Sequence, residues 1–128
     1  MIRAVLWTGS RHWTGTTEER AYISNRMTMY PTGTVMIHGG CQGVDMLVEE
    51  IANQLSYPTC VCNYFGYAGK AGGPIRNEFM VALLRGLRMQ NYETAVEVVH
   101  DDLEHSSGTA NCNKKALRAG FKPTYGPE

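Results

Sequence analysis

Five short apolar runs alternate along the chain with four longer stretches whose apolar residues recur every three or four positions. The runs are residues 2–8 (IRAVLWT), 34–38 (TVMIH), 59–65, 94–99 and 121–125. A run that is apolar at successive positions is a strand buried on both faces. Parallel strands need a crossover between them, which the intervening helices supply. The order is therefore β-α-β-α-β-α-β-α-β, and the expected fold is one α/β domain over residues 1–128. It is a three-layer α/β/α sandwich around a mainly parallel sheet of about five strands.

The helices carry local signals of their own. Thr16 with Glu19 fits a capping box, followed by Tyr22, Ile23, Met27 and Tyr30 at helical spacing, with Pro31 and Gly33 as the stop. From Val44 the apolar positions are 44, 47, 48, 51, 52 and 55, a single helical stripe. Pro74 suits the opening of a third helix, whose apolar residues are Ile75, Phe79, Met80, Leu83, Leu84 and Leu87. A fourth follows Gly108-Thr109 and stops at Gly120, a residue suited to the left-handed cap.

Composition narrows the partners. Twelve basic residues balance twelve acidic ones, so no general field attracts nucleic acid or an anionic membrane, and any phosphate site must be local. No apolar run approaches the length of a membrane span. The opening stretch MIRAVLWTGS lacks the long apolar run and small-residue cleavage site of a signal peptide, so a cytoplasmic protein is expected. Cys41, Cys60, Cys62 and Cys112 lack the paired spacing of a zinc site and read as free thiols. Neither a metal nor a cofactor is expected.

Chemistry concentrates in loops that follow strands, where ligands of parallel sheets bind. They are Thr8-Gly9-Ser10-Arg11, His38-Gly39-Gly40-Cys41-Gln42-Gly43-Val44-Asp45 and Ser106-Ser107-Gly108-Thr109. Glycine lets backbone approach a phosphate, and the following helix turns its unpaired N–H groups and positive dipole end toward the anion. In Ala71-Gly72-Gly73-Pro74-Ile75-Arg76-Asn77, Arg76 and Asn77 fall in the expected first helical turn. A cation there opposes the dipole, so it serves either a bound phosphate or carboxylate, or an ion pair with Glu78 or Asp45.

At these residues the chain resembles the SLOG superfamily of Rossmann-like nucleotide-binding domains, in its YspA/YpsA-related branch. The resemblance is carried by TGSR at 8–11, HGGCQGVD at 38–45, AGGPIRNEFM at 71–80 and SSGTANC at 106–112. It is more distantly similar to the LOG-type phosphoribohydrolases and the DNA-processing DprA group. The resemblance implies a nucleotide or nucleotide-derived ligand, ADP-ribose-like or cyclic, lined by Gly9, Ser10, Arg11, Gly39, Gly40, Gly43, Asp45, Arg76, Asn77, Ser107, Gly108 and Thr109. LOG-type enzymes read PGGxGTxxE, with a glutamate that looks catalytic in that family. Here Cys112 stands in its place, and HSS replaces PGG. A thiol cannot stabilise an oxocarbenium-like centre as a carboxylate does.

Other residues have two readings. Asp45 either caps its helix, holds a ribose hydroxyl or acts as a base. Cys41, beside a helix start and after His38, is a candidate nucleophile. His100, Asp101, Asp102, Glu104 and His105 form either a metal site or a solvated loop. Tyr64, Phe65 and Tyr67 are candidates for stacking on a base, and Trp7 and Trp13 for packing. Lys114 and Lys115 read as solvent charges. Met27, Met29 and Met80 are candidates for facing another subunit; proteins of the SLOG type are commonly dimers or larger, so the resemblance implies a homodimer or higher homo-oligomer, a role that the apolar third helix suits. The function expected is a sensor or sequestering protein for a small nucleotide-like ligand, without turnover. The alternatives are a hydrolase of glycosidic or phosphate bonds and a DprA-like nucleic-acid-processing protein. The missing glutamate disfavours the first alternative, and the balanced charge disfavours the second.

Overall fold

A computed structural model describes residues 3–63, 72–100 and 106–127. Its elements run β1 (Arg3–Gly9), α1 (Thr17–Met27), β2 (Val35–His38), α2 (Val44–Gln54), β3 (Thr59–Val61), α3 (Gly72–Met89), β4 (Glu93–Val99), α4 (Ser107–Arg118) and β5 (Thr124–Gly126). The five strands form one sheet in the order β3-β2-β1-β4-β5, every pair parallel. The order reverses between β1 and β4, the strands after which loops diverge to opposite faces and leave a crevice.

The central strand explains its composition. Ala4, Val5, Leu6 and Trp7 are all buried, because β1 is paired on both edges and covered on both faces. On one face Leu6, Ile37, Val96 and Val98 pack with Met80, Leu84, Cys112 and Ala116 from α3 and α4. On the other, Val5, Trp7 and Met36 pack with Ile23 and Met27 of α1 and Val44, Val48 and Ile51 of α2. Trp7 donates its indole N–H to Met36 Sδ at 3.1 Å. Trp13 is also core. All four cysteines are free.

Helix starts follow the expected chemistry at α1, where Thr16 Oγ1 accepts from Glu19 N and Glu19 Oε1 accepts from Thr16 N. That helix stops at Met27, short of Tyr30. Met29 N and Tyr30 N are instead satisfied by turn bonds to Arg26 O and Met27 O. Gly120 takes φ +89° after α4, and Leu55, the last residue of the α2 stripe, falls at the C-cap and is exposed.

The third helix departs most from expectation. It starts at Gly72, so Arg76 lies in the second turn and not the first. Its buried side is Arg76, Asn77, Met80, Val81 and Leu84, while Ile75 and Phe79 face outward. Periodicity failed here because the inner face of the first turns is polar: it borders a cavity and not the core. Met27 and Met80 are fully enclosed within their own protomer, so neither faces another subunit. Met29 is exposed. No described helix is long and apolar enough to cross a membrane.

Candidate functional site

The loops after β1, β2 and β4 are bolted together by backbone bonds. Ser10 N donates to Val99 O at 3.1 Å, and Val44 N donates to Ser10 O at 2.9 Å. This convergence leaves no room at two glycines. A Cβ on Gly9 would lie 2.4 Å from Val99 O, and one on Gly43, which has φ +83°, would lie 2.3 Å from Ser10 O.

In front of this junction, beyond the carboxyl ends of β1 and β4, lies a cavity of about 540 Å³, within the range of small-ligand sites. Thr8 and Gly9 line it from β1, with Arg11 and His12 from the following loop and Cys41 and Asp45 from the loop and first turn of α2. Gly73, Pro74, Arg76 and Asn77 line it from α3, and Ser106 to Thr109 with Asn111 from α4. Of the residues singled out from sequence, Gly9, Arg11, Asp45, Arg76, Asn77, Ser107, Gly108 and Thr109 therefore share one cavity. Ser10, Gly39, Gly40 and Gly43 are outside its lining and form the frame behind it. Thr8, His12, Cys41, Gly73, Pro74, Ser106 and Asn111 join the lining in addition. The signals for Asn111 and His12 were weak: one is a helical turn beyond Gly108, the other a residue beyond the TGSR loop.

Arg76 is the dominant charge. It is 5% exposed, and its guanidinium is hydrogen-bonded to a backbone carbonyl, a side-chain amide and a cysteine sulfur. Nη1 donates to Gly39 O at 3.4 Å and reaches Cys41 Sγ at 2.6 Å, while Nε and Nη2 both donate to Asn77 Oδ1. Among the described residues it forms no ion pair. Glu78, one candidate partner, instead accepts Lys115 Nζ at 3.0 Å. Of five guanidinium N–H groups, one on Nη2 has no acceptor among the described residues. Gly39 exists for this side chain, since a Cβ there would sit 2.7 Å from Arg76 Cδ and Nε. Asn77 then relays to α4: its Nδ2 donates to Gly108 O at 3.2 Å and to Asn111 Oδ1 at 3.1 Å.

The second positive feature is the start of α4. Ser106 at the N-cap makes no side-chain cap bond, and the first turn holds no acidic residue. Among the described residues, the N–H groups of its first turn, from Ser107, Gly108 and Thr109 at the cavity wall, have no partner, and none lies within 4 Å of a Cβ built on Gly108.

The loop 38–45 is organised differently from expectation. Gly40 N donates to His38 Nδ1 at 3.0 Å, and Cys41 N donates to Asp45 Oδ2 at 3.1 Å. These N–H groups are occupied by the loop's own side chains. Asp45 thus closes the preceding loop and does not cap its helix, whose N-cap is Gly43 without a side-chain bond. Burial pushes the Asp45 carboxyl up, opposed by His38, the Cys41 N–H and Arg76. A Cβ on Gly40, at φ +70°, would approach Val61 and Asn63 and not the cavity. His38 Nε2 lies 2.7 Å from Glu49 Oε1, so both ring nitrogens are committed and neither serves Cys41.

Cys112 is fully buried. Burial raises its thiol to about 11 despite a hydrogen bond with Thr8, so it is neutral at pH 7 and outside the cavity lining. Tyr64, Phe65, Tyr67 and the loop Asp101, Asp102, Glu104 and His105 lie outside the described residues. His100 packs edge-to-face on Tyr125.

A singly reversed parallel sheet with a polar crevice at the reversal defines a Rossmann-like α/β protein. No family model matches the chain. It is 29% identical over 126 residues to the Gene 61 protein of Mycobacterium phage D29, covering 94% of this chain and 93% of that one. Among solved structures it is similar to DNA processing protein A (DprA) from Streptococcus pneumoniae, with a TM-score of 0.71 at 16% identity. That match takes in 99% of this chain and 51% of DprA, so the chain spans about half of DprA's length. The likeness is one of fold.

Proposed function

We propose that the cavity binds a small phosphate-bearing nucleotide derivative, and that the protein senses or sequesters it without turning it over. The observation that carries this reading is Arg76. A guanidinium withdrawn from water, with no carboxylate among its hydrogen-bond partners in the described residues, has an N–H left for an anion, even though the Asp45 carboxylate lies near enough to feel its charge. The uncapped start of α4, one asparagine away, supplies N–H groups and hydroxyls to the same space. An α/β crevice at a strand reversal is also the common setting for nucleotides, in keeping with the SLOG-like strings of the sequence. Absence of turnover is supported by Cys112: a buried neutral thiol at the LOG glutamate position offers no carboxylate to a glycosidic centre.

A hydrolase is the second reading, favoured by Asp45, a carboxylate held above its ordinary range at the cavity wall. Nucleic-acid processing has the DprA-like fold in its favour and the balanced charge against it.

One experiment separates them. The purified protein is denatured, released small molecules are identified by mass spectrometry, and fresh protein is incubated with an excess of the compound found. Full recovery of intact nucleotide supports binding without chemistry. Product exceeding one equivalent per protein establishes an enzyme, and release of oligonucleotide favours the DprA-like reading.

A further inference from the structure

The outward face of α3 carries a second pattern that the ligand site does not use. Ile75, Phe79, Ala82, Gly86 and Met89 recur at alternating steps of four and three residues, and all five are exposed. Ile75 is 48% exposed, Phe79 55% and Met89 75%. This is the seam of a helix that packs lengthwise on another helix, and an apolar stripe of this kind in water marks an interaction surface.

Gly86 is the informative member. It sits inside an 18-residue helix, where glycine weakens the helix by roughly 1 kcal/mol relative to alanine. Nothing among the described residues requires it, because a Cβ there would meet none of their atoms within 4 Å. Large residues occupy the first half of the stripe and small ones, Ala82 and Gly86, most of the second. The flanks carry opposite charges: Glu78 beside the large residues and Arg85 beside the small ones, both exposed. Arg85 forms no ion pair among the described residues. Glu78 holds Lys115 with its Oε2 alone.

We infer that this face is a symmetric dimer interface, in which α3 packs antiparallel on α3 of a second copy about a two-fold axis near residues 80 and 81. In that arrangement Ile75 lies over Gly86 of the partner subunit and Phe79 over Ala82 of the partner subunit, so each large residue meets a small one. Glu78 comes beside Arg85 of the partner subunit. A parallel pair would stack Phe79 on its own copy and place neither charge opposite its complement. The interface is isologous, as a closed dimer requires, and it is independent of the ligand.

Sedimentation velocity over a concentration series of the full chain tests this. The wild type should be a dimer, and Phe79→Glu a monomer with unchanged circular dichroism. Gly86→Leu should raise the helix's own stability yet weaken the dimer, the reverse of what a purely structural glycine would do. Glu78→Arg and Arg85→Glu should each raise the dimer dissociation constant about tenfold or more, and the double reversal should restore it. A wild type that stays monomeric at about 100 μM overturns the proposal and leaves the face to a different partner. A dimer indifferent to Phe79→Glu places the interface elsewhere, and failure of the double reversal to rescue overturns the antiparallel arrangement.

Discussion

Gly39 and Gly40 make opposite predictions from adjacent positions, because only Gly39 packs against Arg76. Arg76→Ala removes a charge-assisted contact of about 1.5–3 kcal/mol, so affinity for the identified nucleotide should fall roughly 10- to 100-fold in a folded protein. Unchanged affinity by titration calorimetry would make Arg76 structural and the pocket reading wrong. Gly39→Ala drives a methyl group into that guanidinium, and should lose affinity to a similar degree while costing about 1–3 kcal/mol of stability. Gly40→Ala strains a left-handed residue by about 1–2 kcal/mol, yet leaves the cavity wall alone, so binding by the folded fraction should persist. The motif string treats the two glycines as equivalent phosphate spacers. Their different duties arise because successive residues of the loop face different neighbours, one toward α3 and the other toward β3.

At the level of elements, α1 was the most legible and α3 the least. The box around Thr16 and Glu19 is purely local, built from side chains three residues apart, and so it could be read directly. Thr16→Ala should cost about 1 kcal/mol in thermal or urea unfolding. Slight burial pushes the Glu19 carboxyl up, but backbone N–H groups of Thr16, Gly15 and Thr14 outweigh it and hold the group below its usual 4.5. A depressed folded pKa contributes stability that is full above the unfolded value and is lost as pH falls through the folded one. The stability gap between wild type and Glu19→Gln should therefore be constant above about pH 5 and shrink on further acidification. A gap that widens in acid would refute the assignment. In α3, by contrast, two apolar stripes one residue apart compete, and the choice between them was made by what lies opposite: a sheet for Met80 and Leu84, a cavity for Arg76 and Asn77, and open water for Ile75 and Phe79.

Across the whole molecule, an ion pair between a half-buried arginine and a buried carboxylate ties α1 to the sheet. Glu97 of β4 is fully enclosed. It accepts Arg26 Nε at 3.0 Å and Nη2 at 2.8 Å, and the Tyr30 hydroxyl at 2.5 Å. The hydrogen bonds to this carboxylate hold Arg26 well protonated, while burial and the Glu97 contact push the Tyr30 phenol upward. Arg26→Ala strands the carboxylate without a cation, and should destabilise by about 3–5 kcal/mol in urea unfolding. A loss below about 1 kcal/mol would mean that water reaches Glu97. Neither residue stood out in the chain, because a glutamate in a strand ordinarily signals an exposed edge, and its partner lies seventy-one positions away.

The layered architecture was readable because it rests on short-range physics: continuous apolar strands, helical stripes, caps and the glycines that end elements. The same locality placed Gly9, Asp45 and Gly108 at strand-to-helix junctions and Arg76 near the start of α3, though a turn too early, and a parallel sheet gathers such junctions on one rim. Which of those junction residues look into the cavity, that Asp45 spends its carboxylate on its own loop, and that α3 turns Ile75 and Phe79 outward came only with the folded chain. Those outcomes depend on contacts between residues far apart in the sequence, where turning one helix by a single residue changes which side chains it buries.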